Sequence, residues 1–223
     1  MMNFETTTPL LTAEEIGDSH MMTSVDTPVR QDAFERSDEE KIERIAGLFR
    51  GIMEELGLNL DDDSLNGTPY RVAKMYIKEL FDGLDPKNKP KLSTFDNKYG
   101  YRKMLVEKDI RVSSACEHHF LPIVGRAHIA YIAESKVIGL SKINRIVEYY
   151  SHRPQVQERL TLQIYHALRS ALGTDSIIVV IDAEHLCVSA RGVKDENSRT
   201  TTLEYGGAFA KEDYRKEFFD IIK

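Results

Sequence analysis

Tryptophan is absent from this 223-residue chain, and cysteine appears only twice. Two thiols are too few for a disulfide framework, so a hydrophobic core must hold the fold together. No apolar run approaches the ~20 residues that a membrane span needs. The opening MMNFETTTPLLTAEE has neither the basic start nor the apolar stretch of a secretory signal, so a reducing, cytoplasmic location is expected. No G-x-x-x-x-G-K-S/T loop or G-x-G-x-x-G turn is present, which disfavours a P-loop nucleotidase and a dinucleotide-binding dehydrogenase. Basic charge is also short: 30 lysines and arginines against 36 acids give a net of -6, a poor balance for a general nucleic-acid binder.

What is present suffices for one large domain or two small ones, with 41% hydrophobic and 30% charged residues. The acids are unevenly placed. Residues 1–40 hold ten of them against Arg30 and Arg36, so the rest of the chain is slightly positive and can receive an anion. Residues 1–36 read as a flexible acidic leader. Ser37-Asp38-Glu39-Glu40 has the form of a capping box ahead of an apolar stripe, Ile42, Ile45, Phe49, Ile52 and Leu56, that stops at Gly57. Thr68-Pro69 restarts a helix, with Thr68 as the capping oxygen, running to about Phe81. These helices make residues 37–100 an N-terminal helical region. Beyond it, 104–115 and 122–133 read as strands, Ser141 to Ser151 and Gln155 to Leu172 as helices, and IIVVIDAEHLCVSA and RTTTLE as strands. A short helix over 212–222 closes the chain. The body, 101–223, is therefore an α+β unit of ββααββ order.

Cys116-Glu117-His118-His119 places a thiol and an imidazole three apart, where one turn can aim both at a cation. Cys187 follows His185 by two. If both lie on a strand their side chains share a face. Cys116, His119 and Cys187 would then supply three zinc ligands and leave a fourth position for water, with His118 and His185 beside the metal as acid–base groups. A lone strand cysteine is more often a small buried hydrophobe, and a single C-x-x-H is a weak signal. The coincidence of both cysteines with a nearby histidine, in a chain holding seven, favours zinc over a structural cysteine or a Cys–His nucleophile pair. His128, His152 and His166 read as ordinary.

For an anion, Ser141-Lys142 and Arg145 open a helix with a capping hydroxyl and two bases, Arg191 follows the Cys187 segment, and Arg71 and Lys74 lie three apart. Each alone is commonly a solvated helix face. Gln157-Glu158 sits in a first helical turn, where an acid is favourable anyway, but a carboxylate there can also accept two N–H bonds from a guanine edge.

The segments SSACEHHFLPIVGRAHIAYI, GLSKINRIVEYYSHRPQVQERLT and AEHLCVSARGVKDENSRTTT closely resemble GTP cyclohydrolase I, and the resemblance runs from about Ile42 to the C-terminus. It implies the tunnelling fold, an antiparallel sheet with two helices on one face, here with an N-terminal helical extension. It implies a Zn2+-dependent hydrolase that opens the guanine imidazole ring of GTP at C8, releases formate and forms 7,8-dihydroneopterin triphosphate, the first step of tetrahydrofolate and pterin biosynthesis. By resemblance, Cys116, His119 and Cys187 hold zinc and His118 and His185 are catalytic. Glu158 with Gln157 takes the guanine edge. Ser141, Lys142, Arg145 and Arg191 take the triphosphate, and Arg71 with Lys74 reaches it from an adjacent subunit. The partners implied are GTP, water and further copies of the chain in a ring-shaped homodecamer with active sites at subunit interfaces, without nucleic acid or membrane. Three other readings remain: a pyruvoyl-tetrahydropterin synthase, which would show three histidines at zinc; a nitrile reductase of the same fold, with a cysteine nucleophile and no zinc; and a non-catalytic zinc or nucleotide module.

Overall fold

The computed structural model describes residues 24–223, so most of the expected acidic leader lies outside the described residues. Helix α1, Asp38–Glu55, starts at the expected capping box. Ser37 Oγ accepts the Glu40 N–H at 3.2 Å, and the Ser37 N–H donates to the Glu40 carboxylate at 2.8 Å. Those two bonds hold the Glu40 carboxyl below its usual range. Only part of the expected stripe is covered. Ile42 and Met53 are buried, whereas Leu48, Ile52 and Leu56 face outward, because α1 leans on the next helix along a narrow strip.

Helix α2, Thr68–Met75, differs from expectation at both ends. Gly67 is its cap residue and Thr68 is already helical, with its hydroxyl accepting from Arg71 at 3.0 Å instead of capping. Past Met75 the chain widens into a π turn over Tyr76–Leu80, closed by the Phe81 N–H on the Tyr76 carbonyl. The ring of Phe81 then packs on both Tyr76 and Phe120, each at 5.3 Å between centroids. At Gly83 a Cβ would stand 2.1 Å from the Tyr149 carbonyl, so only glycine allows this approach to the domain body.

Short strand β1, Thr94–Asp96, precedes the long strands β2, Met104–Cys116, and β3, Pro122–Ile132. Strand β4, Lys136–Ile138, pairs with β1. Helix α3, Leu140–Ser151, two-residue strand β5, Pro154–Gln155, and helix α4, Gln157–Leu172, follow. Strand β6, Ile177–His185, the single turn α5, Leu186–Ser189, strand β7, Thr200–Tyr205, and helix α6, Glu212–Ile222, complete the chain. The main sheet has the order β5-β2-β3-β6-β7, antiparallel except for β5, which runs parallel to the last two residues of β2.

Helices α3 and α4 cover one sheet face. Ile143, Ile146, Val147, Leu160, Ile164 and Leu168 pack there against Val112, Ile129, Ile177, Val179 and Ile181. The other face is partly covered by Phe209 and by Phe218 of α6, against Ala130, Ile178 and Val180. Cover on both faces explains why IIVVI of β6 reads as an unbroken apolar run. The register matters most for the site. Ala115 pairs with Pro122 and Ile123 with His185, so β2 and β6 both end at the same edge of the sheet.

Candidate active site and metal centre

At the end of β2 the chain turns sharply. The Cys116 N–H donates to the Leu121 carbonyl and the Phe120 N–H to the Cys116 carbonyl, both at 2.8 Å. Phe120 takes a left-handed φ of 55° to close this turn, which presents His118 and His119 outward. Two strands away, β6 stops at His185. Cys187 does not lie on the strand as expected from the sequence. It sits in the helical turn α5, because pairing to β3 runs out at the Ile123–His185 register. The turn still brings it to the same place: ligand atoms of Cys116, His119 and Cys187 all lie within 4.8 Å of one another.

Two sulfurs and an imidazole are a donor set suited to zinc, and three protein ligands leave one tetrahedral direction open. Burial, followed by the neighbouring Cys116 sulfur, pushes the Cys187 thiol up to about 11. A dication between the sulfurs reverses that balance by favouring both thiolates. Cys116 is buried and His119 exposed, so the pocket opens to solvent on the imidazole side. Arg191 reaches the Nε2 of His119 from the loop after α5.

The histidines are held differently. His185 Nε2 lies 2.7 Å from Gln157 Oε1. The Gln157 amide nitrogen donates to the carbonyls of Ile181 at 3.0 Å and Thr200 at 2.8 Å, and to Thr202 Oγ1 at 3.1 Å. Carbonyls only accept, so the amide orientation is fixed, Oε1 must accept from His185, and the imidazole carries its proton on Nε2. Nδ1 is left for chemistry. Burial lowers the His185 pKa, and the charge of Glu158 partly opposes this. His118 places Nδ1 3.7 Å from Cys116 Sγ and Nε2 3.8 Å from a Glu117 carboxylate oxygen.

Glu158 is exposed and lines a groove of about 790 Å³ with Ser24, Asp26, Lys89, Tyr150 and Leu162. The Gln157 side chain, by contrast, is buried and directed at the sheet. Residues 24–27, assigned to the leader from sequence, rest on the body here. Asp26 accepts from Arg153 at 3.0 Å and Gln163 at 2.5 Å.

The anion candidates do not all converge. Arg191 is at the metal pocket, but Ser141, Lys142 and Arg145 are not. Gly139, not Ser141, is the cap residue of α3, whose first turns lie beside the start of β2, with Asn144 donating to Glu107 at 3.2 Å. Eight residues of β2 lie between Glu107 and Cys116. Arg71 and Lys74 stand exposed on α2, with Arg71 bonded to Thr68 and the Ser64 carbonyl. Two residues behind the pocket were not singled out from the sequence, Glu117 and Arg159, joined at 2.5 Å. The available signal was an arginine in the first turn of α4, where a cation is disfavoured unless it is paired.

Four antiparallel strands with two helices on one face are the arrangement of a tunnelling-fold enzyme, here ending in two thiols and an imidazole that could hold a metal ion. Residues 45–223 match the family described as GTP cyclohydrolase I. GTP cyclohydrolase 1 of Flavobacterium johnsoniae is 59% identical over 210 residues, 94% of either chain. That of Aeromonas salmonicida is 50% identical over 200 residues, 89% of this chain and 91% of its own. A crystal structure of the archaeosine synthase QueF-Like in the apo form superposes with a TM-score of 0.40 at 14% identity, over 47% of this chain and 94% of that one, too weak a likeness to bear on function. The chain belongs to the GTP cyclohydrolase I family. It is a hydrolase of that family, opening the guanine imidazole ring of GTP at C8 with loss of formate to give 7,8-dihydroneopterin triphosphate.

Proposed function

We propose that Cys116, His119 and Cys187 hold Zn2+, and that His118 and His185 are the acid–base pair of the ring-opening reaction. The clustering of the three ligand atoms within 4.8 Å, beside both histidines, carries this reading. When bound, the ion supplies Lewis acidity that makes water nucleophilic near neutral pH. His185 works through Nδ1, since its Nε2–H is committed to Gln157: Nδ1 accepts the proton released as water adds at C8 and hands it on to the base at N7. His118 moves the proton at the ribose ring oxygen in the later rearrangement. Glu158 accepts the N–H groups of the guanine edge from the groove, and Gln157 beside it holds His185 against the base.

Arg191 takes a phosphate from the same chain. Ser141, Lys142 and Arg145, which among the described residues share no hydrogen bond or ion pair with Cys116, His119 or Cys187, serve the triphosphate of a neighbouring subunit, as do Arg71 and Lys74. Holding the substrate at both ends keeps the intermediate in place between steps. The assembly is a ring-shaped homodecamer. Two open sheet edges support self-association: β7 and most of β2 have no outer partner strand among the described residues. A cytoplasmic setting suits Cys116 and Cys187, both free thiols, since reducing conditions keep them available as ligands. Exhaustive chelation should abolish formate release and pterin fluorescence, and Zn2+ should restore both. Full turnover by metal-free protein would refute the reading.

A further inference from the structure

We propose that Arg159 is a positioning residue for the cation pocket, acting through Glu117, so that the first turn of α4 ties the guanine-facing side of the site to the metal turn. The inference rests on the metal reading above. Arg159 is 4% exposed, and a buried guanidinium is costly unless its donors are matched. Here they are matched. Nε donates to Gln155 Oε1 at 2.8 Å, and Nη2 donates to the Pro154 carbonyl at 2.9 Å and to Glu117 Oε2 at 2.5 Å. Gln155 is itself fixed, its amide nitrogen donating to the Tyr150 carbonyl and to Gln163, both at 2.8 Å.

Glu117 is the residue between Cys116 and His118. Its backbone N–H donates to the Gln155 carbonyl at 3.0 Å, so the metal turn is fastened to the same short segment by main chain and side chain together. Its second carboxylate oxygen faces His118 Nε2 at 3.8 Å. A shift of Glu117 therefore carries Cys116 and His118 with it. Arg159 in turn is the next residue after Glu158 and two after Gln157, which holds His185. Three consecutive side chains of one helical turn thus point in three directions: to the sheet and His185, to the base groove, and to the metal turn. A pair that merely closed the fold would not need to end on the residue flanked by a ligand and a catalytic histidine.

The test uses Glu117→Gln, Arg159→Gln and the double variant as purified full-length oligomers, with Co2+ as the probe. Affinity is read by competition with a chromophoric chelator, and ligand geometry by the visible bands of tetrahedral thiolate-bound cobalt. Each single variant should lose about 10–100-fold in cobalt affinity with altered bands, as for other groups that orient metal ligands. The double variant should lose no more than the worse single one, since both act through one contact. Unchanged affinity and bands, with only a lower melting temperature, would show a structural ion pair and overturn the proposal, as would strictly additive losses. If Arg159→Gln does not fold, Glu117→Gln decides alone, because it keeps shape at a position with 20% side-chain exposure. Failure of the parent protein to bind cobalt would instead refute the metal reading itself.

Discussion

Gln157→Met separates two roles for this residue, because it keeps the length of the side chain while removing its amide. The two N–H groups of the native amide serve three acceptors and its oxygen accepts one bond, all in the interior. At a net ~1 kcal/mol for each of the two donors and the one acceptor, the loss approaches about 3 kcal/mol, and the thioether's added apolar burial returns about 1 kcal/mol. A destabilisation of about 2 kcal/mol is expected by denaturant unfolding followed by circular dichroism. Without Oε1 to accept from Nε2, His185 can exchange tautomers and rotate, and general acid–base work is worth about 10²–10⁴ in rate. We expect kcat for formate release to fall at least ~100-fold per folded subunit, with KM for GTP changed little. A rise in KM at nearly constant kcat would show that the Gln157 side chain reads guanine directly. A stability loss with kcat within twofold of the parent would show that His185 needs no support from it.

Arg145→Ala and His185→Ala should each be nearly inactive alone, yet regain part of the parent activity when unfolded together and co-refolded, because in the proposed assembly a mixed oligomer contains pockets built from two intact contributions. Absence of recovery in verified mixed oligomers would place both residues in one chain's site. Glu40→Ala should lower the melting temperature at neutral pH by removing the carboxylate half of the capping box. Because the Glu40 carboxyl is held below its ordinary value in the folded chain, that contribution is complete above the ordinary value and fades as pH falls through the lowered one. Melting curves of variant and parent should therefore draw together in acid, and a gap that stays constant with pH would show that the Glu40 charge contributes nothing.

The strands and helices of the body were legible because their patterns are local: β-branched and aromatic residues without helical spacing in β2 and β3, helical spacing with Gly173 as a left-handed stop after α4. The gathering of Cys116, His119 and Cys187 in one place was legible from residue type and spacing together. The path of Cys187 was not. IIVVIDAEHLCVSA reads as one strand, and only the length of β3 beside it decides that pairing ends at His185. Non-local pairing likewise hides β5, whose two residues are strand only because the end of β2 passes next to them. At α3 and α2, hydroxyl residues suggested caps, but each helix begins earlier on a glycine, since packing sets the first turn. The distance from Ser141, Lys142 and Arg145 to the pocket was invisible for a related reason: spacing along the chain says nothing about which end of a sheet a helix starts from.

The two halves of the candidate cation pocket come from segments far apart in the chain. Cys116 and His119 belong to the turn of a local hairpin, whereas Cys187 follows only after α3, α4 and the pairing of β6 to β3. Contacts of such wide sequence separation form late, once the closure entropy of the intervening chain has been overcome. A nascent chain released before β6 offers a metal only two of its three anchors. On the proposed metal reading, three-ligand capture of an ion would therefore require the completed topology.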